Sequence, residues 1–378
     1  MAIVIKIGSN VATDERGELR EDVLASIAAQ VAALHEQQRD VVLVTSGAIS
    51  RGMNLLGLNA RPGAMAELQA SSAVGQGQVY ARYDRLLGEH GVKTAQVLLT
   101  LRDVLDRVSY LNARRTLEQL LDWRVVPIVN ENDTTATDEI TFGDNDGLAA
   151  LIAVTLKAEQ LILVSDVDAL YDADPKHNPD AGPVRVVNDF VELERMEIGD
   201  GSSGIGSGGM RSKVNAARMA TDGGVSVAIC GGHEPGAIAA MAGDRIETGT
   251  RFTPHANPLS SFKIWIRWGL KTQGQVTVDR AAAEALRANG ASLLPVGIVD
   301  VRGEFAAGDA VEVSVDAAGS GFAKGDGVEG DERTVAKGIV NYSSDELRRI
   351  VGLKSEQVQK LMPHASDEAV HRDNMVLT

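Results

Sequence analysis

Lys6 sits inside the apolar run Ala2–Ile7, with Gly8 and Ser9 directly after it. A lysine in a buried strand is costly unless its charge meets an anion or a carboxylate. The alternative is a lysine at a strand edge, snorkelling to water. A second lysine closes a glycine-rich stretch: the fifteen residues Gly199 to Lys213 hold six glycines and end where a helix-like segment opens. Glycine lets a backbone approach a ligand closely, and N–H groups at a helix start attract phosphate. The chemistry within reach is a nucleotide phosphate cradle, with Lys213 at the transferring group. A Gly/Ser linker is the plain alternative. Gly204, Gly206 and Gly209 spell GxGxxG, but the polar run Asn188–Asp200, not a strand, precedes them. Lys213 follows Ser212 and precedes Val214, so the Walker order fails as well.

Other polar groups follow apolar runs. Thr45-Ser46-Gly47-Ala48 offers a hydroxyl and N–H groups to a substrate anion, or simply caps a helix; no GxSxG elbow accompanies Ser46. Asn130-Glu131-Asn132-Asp133 and Gly143-Asp144-Asn145-Asp146 flank the polar loop Thr134–Phe142. Such side chains suit an ammonium group through charge-assisted hydrogen bonds, and equally suit positioning lysines or holding magnesium through oxygen. Two such clusters around a short loop look like a substrate lid with two hinges. Ser165-Asp166 and Asp168 end a further apolar run, where an acid either contacts a nucleotide or caps the turn. His371-Arg372-Asp373 mimics a protein-kinase catalytic loop, but the glycine-rich, VAIK and DFG motifs are absent, so the match is coincidence.

The elements that must position these groups follow from periodicity. Strands are expected at Ala2–Ile7, Val41–Thr45, Val125–Val129, Leu161–Val164 and Val225–Cys230. Between the first two, Val23, Ile27, Val31 and Leu34 share one face of a helix over Asp22–Gln38. Strands alternating with helices imply right-handed βαβ units and a largely parallel sheet, with ligands beyond the carboxyl ends of the strands. After about Pro254 the texture changes. Short strands at Gln275–Asp279, Gly297–Val301, Ala310–Val315 and Val335–Tyr342, with a helix at Arg280–Ala288, predict a small, mostly β domain. The division expected is 1–255, a linker 256–273, the second domain 274–355 and a tail 356–378. The segment 317–332, rich in Gly and acids, reads as an exposed hairpin loop.

Composition sets limits. With 378 residues, 44% hydrophobic and 24% charged, the chain is long enough for two or three cores of a water-soluble protein. No apolar run reaches the ~18 residues that a membrane span needs, and no signal peptide is visible. The single Cys230 excludes an intrachain disulfide and fits a cytoplasmic location, as a small core residue. A net charge of −15 argues against a surface built for nucleic acid. The second domain, from Gln273 to Ile350, carries eight Lys/Arg against thirteen Asp/Glu, which makes RNA an unsuited partner.

Taken together, Val4-Ile5-Lys6-Ile7-Gly8-Ser9, Val44-Thr45-Ser46-Gly47-Ala48-Ile49, Ala73-Val74-Gly75-Gln76 and Leu111-Asn112-Ala113-Arg114 form one pattern. It continues in Pro127–Asp133, Gly143–Asp146, Ser207-Gly208-Gly209-Met210 with Lys213, and Gly249-Thr250. This pattern resembles the glutamate 5-kinases of the amino-acid kinase superfamily along nearly the whole chain. Ser292–Ile298 and Asn341-Tyr342-Ser343 look like the PUA domain appended to bacterial members. The resemblance implies a three-layer α/β/α sandwich plus a small PUA-like domain. It implies transfer of the γ-phosphoryl of ATP to the γ-carboxylate of L-glutamate, with proline as inhibitor and a homo-oligomeric assembly. Carried over by motif, Lys6 and Lys213 flank the phosphoryl group and Asp146 holds their ammonium groups. Ser46, Gly47, Asp133 and Asn145 bind glutamate. Lys6, Ser165, Asp166 and the run Ser207, Gly208, Gly209, Met210, Arg211, Ser212 and Lys213 hold ATP. Mg2+ comes with ATP, held mainly by the nucleotide and not by a protein metal site. Two features depart from the pattern: segment 317–332 looks like an insertion, and Asp168 stands where some members carry lysine. Kinases acting on aspartate or N-acetylglutamate are the nearest competing reading, and an RNA-binding protein the next.

Overall fold

The structure is a computed structural model. It describes residues 2–100, 103, 107–136, 145–175, 177–178, 180–191, 193, 209–243, 248–316 and 332–378; the side chains of 107, 108, 289, 316 and 332 fall outside that description. The chain divides into two compact units, Met1–Leu259 and Ser260–Thr378.

In the first unit the strands are β1 (Ala2–Ile7), β2 (Asp40–Val44), β3 (Thr94–Leu99), β4 (Val126–Glu131) and β5 (Gln160–Ser165). After them come β6 (Leu170–Tyr171), β7 (Pro183–Val184), β8 (Val186–Val187), β9 (Ser226–Gly231) and β10 (Thr250–Phe252). Eight of them form one sheet in the order β3-β4-β2-β1-β5-β9-β10-β8. It is parallel from β3 to β9, and β10 runs antiparallel to β9. Every position of β1 and β5 is buried. A parallel strand covered on both faces has no wet side, which is why both read as unbroken apolar runs.

Alternation along β1 decides where Lys6 points. Ile3, Ile5 and Ile7 share a core with Leu24, Ile27 and Val31 of the helix Glu21–Glu36. Successive side chains alternate between faces, so Lys6 belongs to the other face, against which the helix Asn145–Thr155 packs. Lys6 is in register with Val44 of β2 and Leu163 of β5, in the middle of the sheet.

Beyond β2, Gly47 adopts φ +94° and opens the helix Ala48–Leu55. A side chain there would be strained, and only glycine makes this turn freely. The helix Met65–Gly88 lies hard against Ala48–Leu55. A Cβ on Gly75 would stand 2.0 Å from the Ala48 carbonyl oxygen, and one on Gly52 would stand 1.7 Å from that of Ser71. Backbone contact at these two glycines fixes the helix beside the sheet. Cys230 is buried and its thiol pushed up to about 12 by burial and by Glu234, as befits a core residue.

The second unit has a five-stranded sheet in the order β12-β11-β13-β14-β15. Its strands are β11 (Thr272–Val278), β12 (Ile298–Gly303), β13 (Ala310–Asp316), β14 (Glu332–Ile339) and β15 (Met375–Leu377). Two segments set apart in the sequence pack with this unit. Of the expected linker 256–273, residues 256–259 end the first unit and 260–273 open the second, where Ile264 and Ile266 are buried and the Lys337 ammonium donates to the carbonyls of Arg267 and Leu270. The expected tail 356–378 ends it: β15 pairs antiparallel with β14, with Met375 and Val376 buried. Met375 belongs to the apolar core of this unit. His371 accepts from the Asp373 N–H and caps a short turn, so this motif has a local structural job. Segment 317–331 lies outside the described residues. Among the described residues no helix is long and apolar enough to cross a membrane.

Candidate active site

Three elements bring charge to one point beyond the sheet. β1 supplies Lys6, the helix Asn145–Thr155 supplies Asp146 in its first turn, and the helix Met210–Asp222 supplies Lys213 in its first turn. Lys6 Nζ lies 2.6 Å from Asp146 Oδ1, and Lys213 Nζ lies 3.4 Å from Asp146 Oδ2. The three side chains are 3%, 0% and 6% exposed. A carboxylate in the first turn of a helix is also favoured by the helix dipole. Among the described residues, then, two cations share one anion in a nearly dry place. Such a cluster is suited to an incoming anion, because Coulomb attraction is weakly screened there.

A second, uncharged group stands beside it. The Asn145 amide Nδ2 donates to the Thr45 carbonyl at 2.6 Å, to Asn130 Oδ1 at 2.8 Å and to Ser46 Oγ at 3.1 Å. The Asn130 amide donates in turn to Gln76 Oε1. Asn145 Oδ1 is buried and has no hydrogen-bond partner among the described residues. A buried carbonyl-type oxygen without a donor carries a desolvation cost that a bound N–H group would relieve. Nearby in sequence, Asp133 accepts from Ser72 Oγ at 2.5 Å. Burial pushes the Asp133 carboxyl above the usual range, against the lowering pull of the Ser72 hydrogen bond and the Arg61 charge.

A third group closes the end of β5. Asp166 accepts from Asn10 Nδ2 at 3.0 Å and from Ser165 Oγ at 3.1 Å. Burial pushes its carboxyl up, but those hydrogen bonds, its own backbone and the Lys213 charge outweigh it and the net direction is down. An ionised oxygen donor beside a lysine fits a hydrated magnesium ion carried on a nucleotide. Gly209 caps the helix that carries Met210, Arg211, Ser212 and Lys213, and a helix start of this kind attracts phosphate. Ser207, Gly208 and most of the loop Thr134–Phe142 lie outside the described residues. Asp168 accepts from the Tyr171 hydroxyl at 2.9 Å, which gives it a structural partner.

The structure therefore joins Lys6, Asp146 and Lys213, and it joins Ser46 to Asn145. Gly47 lies at the same turn as Ser46. Asp133 is held by a different helix from the one bearing Asn145. The sequence reading gave no role to Asn10, Ser72 or Gln76, and treated Asn130 only as part of the Asn130–Asp133 cluster. The Gln76 segment and Asn130 did stand in motifs, but their pairing is tertiary and carries no local periodicity.

The amino acid kinase family model matches residues 1–231, and the PUA domain model matches residues 274–362. A glutamate 5-kinase of Synechococcus sp. (strain JA-3-3Ab) is 45% identical over 99% of this chain and 98% of its own length. A glutamate 5-kinase of Thermoanaerobacter sp. (strain X514) is 40% identical over 100% of this chain and 98% of its own. Among solved structures, a UMP kinase from Bacillus anthracis matches with a TM-score of 0.46 at 16% identity, over 68% of this chain and 96% of that one. Matches of this identity over the full length leave one conclusion: the chain belongs to the amino acid kinase family, among its glutamate 5-kinases with a PUA domain.

Proposed function

We propose that this chain transfers the γ-phosphoryl group of ATP to the γ-carboxylate of L-glutamate, giving L-glutamyl 5-phosphate, the first step of proline biosynthesis. The observation that carries the reading is the buried Lys6–Asp146–Lys213 cluster. A carboxylate oxygen is already nucleophilic, so the reaction needs no strong base. Its barrier is charge crowding between carboxylate and triphosphate, together with in-line alignment. Lys6 and Lys213 reduce the crowding as charge develops on the transferring group, and Asp146 keeps both ammonium groups aimed. Asn145 and Asp133 take the α-ammonium of glutamate, and Ser46 and Gly47 take a carboxylate. Ser165, Asp166 and the segment Ser207–Lys213 hold ATP. Asp166 would stand beside a hydrated magnesium ion carried on ATP, which would supply charge neutralisation on the phosphates.

Proline belongs to this reading as an inhibitor competing near the loop Thr134–Phe142, which follows Asp133, and so does a homo-oligomer, measurable by light scattering. If Asp133→Ala lost glutamate affinity yet kept full proline sensitivity, the two sites would be separate. The reaction itself is tested by trapping the acyl phosphate with hydroxylamine, comparing L-glutamate, L-aspartate and N-acetyl-L-glutamate with ATP and magnesium. Hydroxamate from L-glutamate alone supports the reading. Hydroxamate from another acid instead would move the substrate assignment, and none from any of the three would end it.

A further inference from the structure

One face of the helix Met65–Gly88 grips the segment that follows β4 at three successive places. Gln69 Nε2 donates to the Ala136 carbonyl at 3.2 Å, Ser72 Oγ donates to Asp133 at 2.5 Å, and Gln76 Oε1 accepts from Asn130. These residues are spaced i, i+3 and i+7, one stripe of a helix. The helix cannot drift along its axis, because Gly75 and Gly52 hold it against Ala48–Leu55 with backbone contact.

The polarity of the amides in this stripe is determined from a fixed point. The Thr45 carbonyl is backbone and only accepts, so the Nδ2 end of Asn145 turns to it. Asn130 must then offer Oδ1 to Asn145 and is left with Nδ2 facing away, towards Gln76. Asn130 is 2% exposed. Without an acceptor at 76 its N–H would be buried and unpaired, a state that favours turning the amide over. Turning it would set Nδ2 against the Nδ2 of Asn145 and dislodge the Asn145 amide, whose buried Oδ1 has no hydrogen-bond partner among the described residues.

We infer that Gln76 is a positioning residue for the substrate's α-ammonium group, acting through Asn130 on Asn145. The inference rests on the proposed glutamate reaction. Gln76 then contributes to recognition of the amine and nothing to recognition of the two carboxylates.

The test uses the full chain and two variants, Gln76→Met, which keeps length and removes the acceptor, and Gln76→Glu, which keeps an acceptor only. The readouts are KM for L-glutamate and the inhibition constant of glutarate, which has both carboxylates and no amine. Gln76→Met should raise KM about tenfold, as for a lost hydrogen bond to a charged group, with the glutarate constant within about twofold of wild type. Gln76→Glu should recover most of the loss. Equal weakening of both acids, no change in either, or a Gln76→Glu variant no better than Gln76→Met would overturn the positioning role. Failure of the wild-type chain to make hydroxamate from L-glutamate would instead remove the reading beneath it, and the proposal with it.

Discussion

Asn145 and Asp146 are neighbours on one helical turn, yet they serve two different networks. Asp146 lies between two buried lysines and pairs with both. Asn145 ties together a carbonyl, a hydroxyl and another amide, all uncharged. The first arrangement suits charge that appears only during transfer, since preorganised ions in a dry site respond to it without reorganising. The second suits a group already present on the resting substrate, because hydrogen-bond geometry selects shape as much as charge. One helix start can thus divide a reaction into recognition and transfer, with adjacent residues facing opposite tasks.

The division breaks most visibly at Lys213. Lys213→Ala should lower kcat by ~10² or more while KM for ATP changes little, as when a transition-state charge partner is lost. An unchanged kcat would remove the lysine from the transfer half. On the recognition side, Asn145→Ala should raise KM for glutamate about tenfold with kcat within a few-fold. A collapse of kcat instead would merge the two halves.

Acidity sharpens the comparison further. Because burial raises the Asp133 carboxyl, it takes up its proton at a higher pH than an ordinary carboxylate as the medium is acidified. Glutamate KM should therefore rise on the acidic side before other carboxylates protonate. Ser72→Ala removes a hydrogen bond that holds the ionised form, so the rise should begin at a higher pH still; a KM profile identical to wild type would count against Asp133 at the amine. The smallest effect is expected at Gly47→Ala, costing about 1–2 kcal/mol of stability for a left-handed backbone. Thermal unfolding measures it, and no loss would mean the turn relaxes.

Sequence periodicity located β1, β2, β4, β5 and β9, because central parallel strands are apolar throughout and leave a strong signal. It missed β3, an edge strand whose side chains are half wet. It also missed the helix Met65–Gly88, whose glycines and small residues blur the apolar stripe. The charged half of the site was legible, since Lys6 is out of place in an apolar strand and Lys213 follows a glycine run. The amide half was only partly so: Ser72 and Gln76 meet partners 61 and 54 residues away, and that pairing depends on how helix and sheet pack.

The central claim is that recognition and transfer are carried by separate groups, and the most direct test is to measure L-glutamate binding to Lys213→Ala by calorimetry without nucleotide. The account predicts a dissociation constant within about threefold of wild type in a variant that has lost its turnover. A weakening of binding as large as the loss in kcat would contradict it.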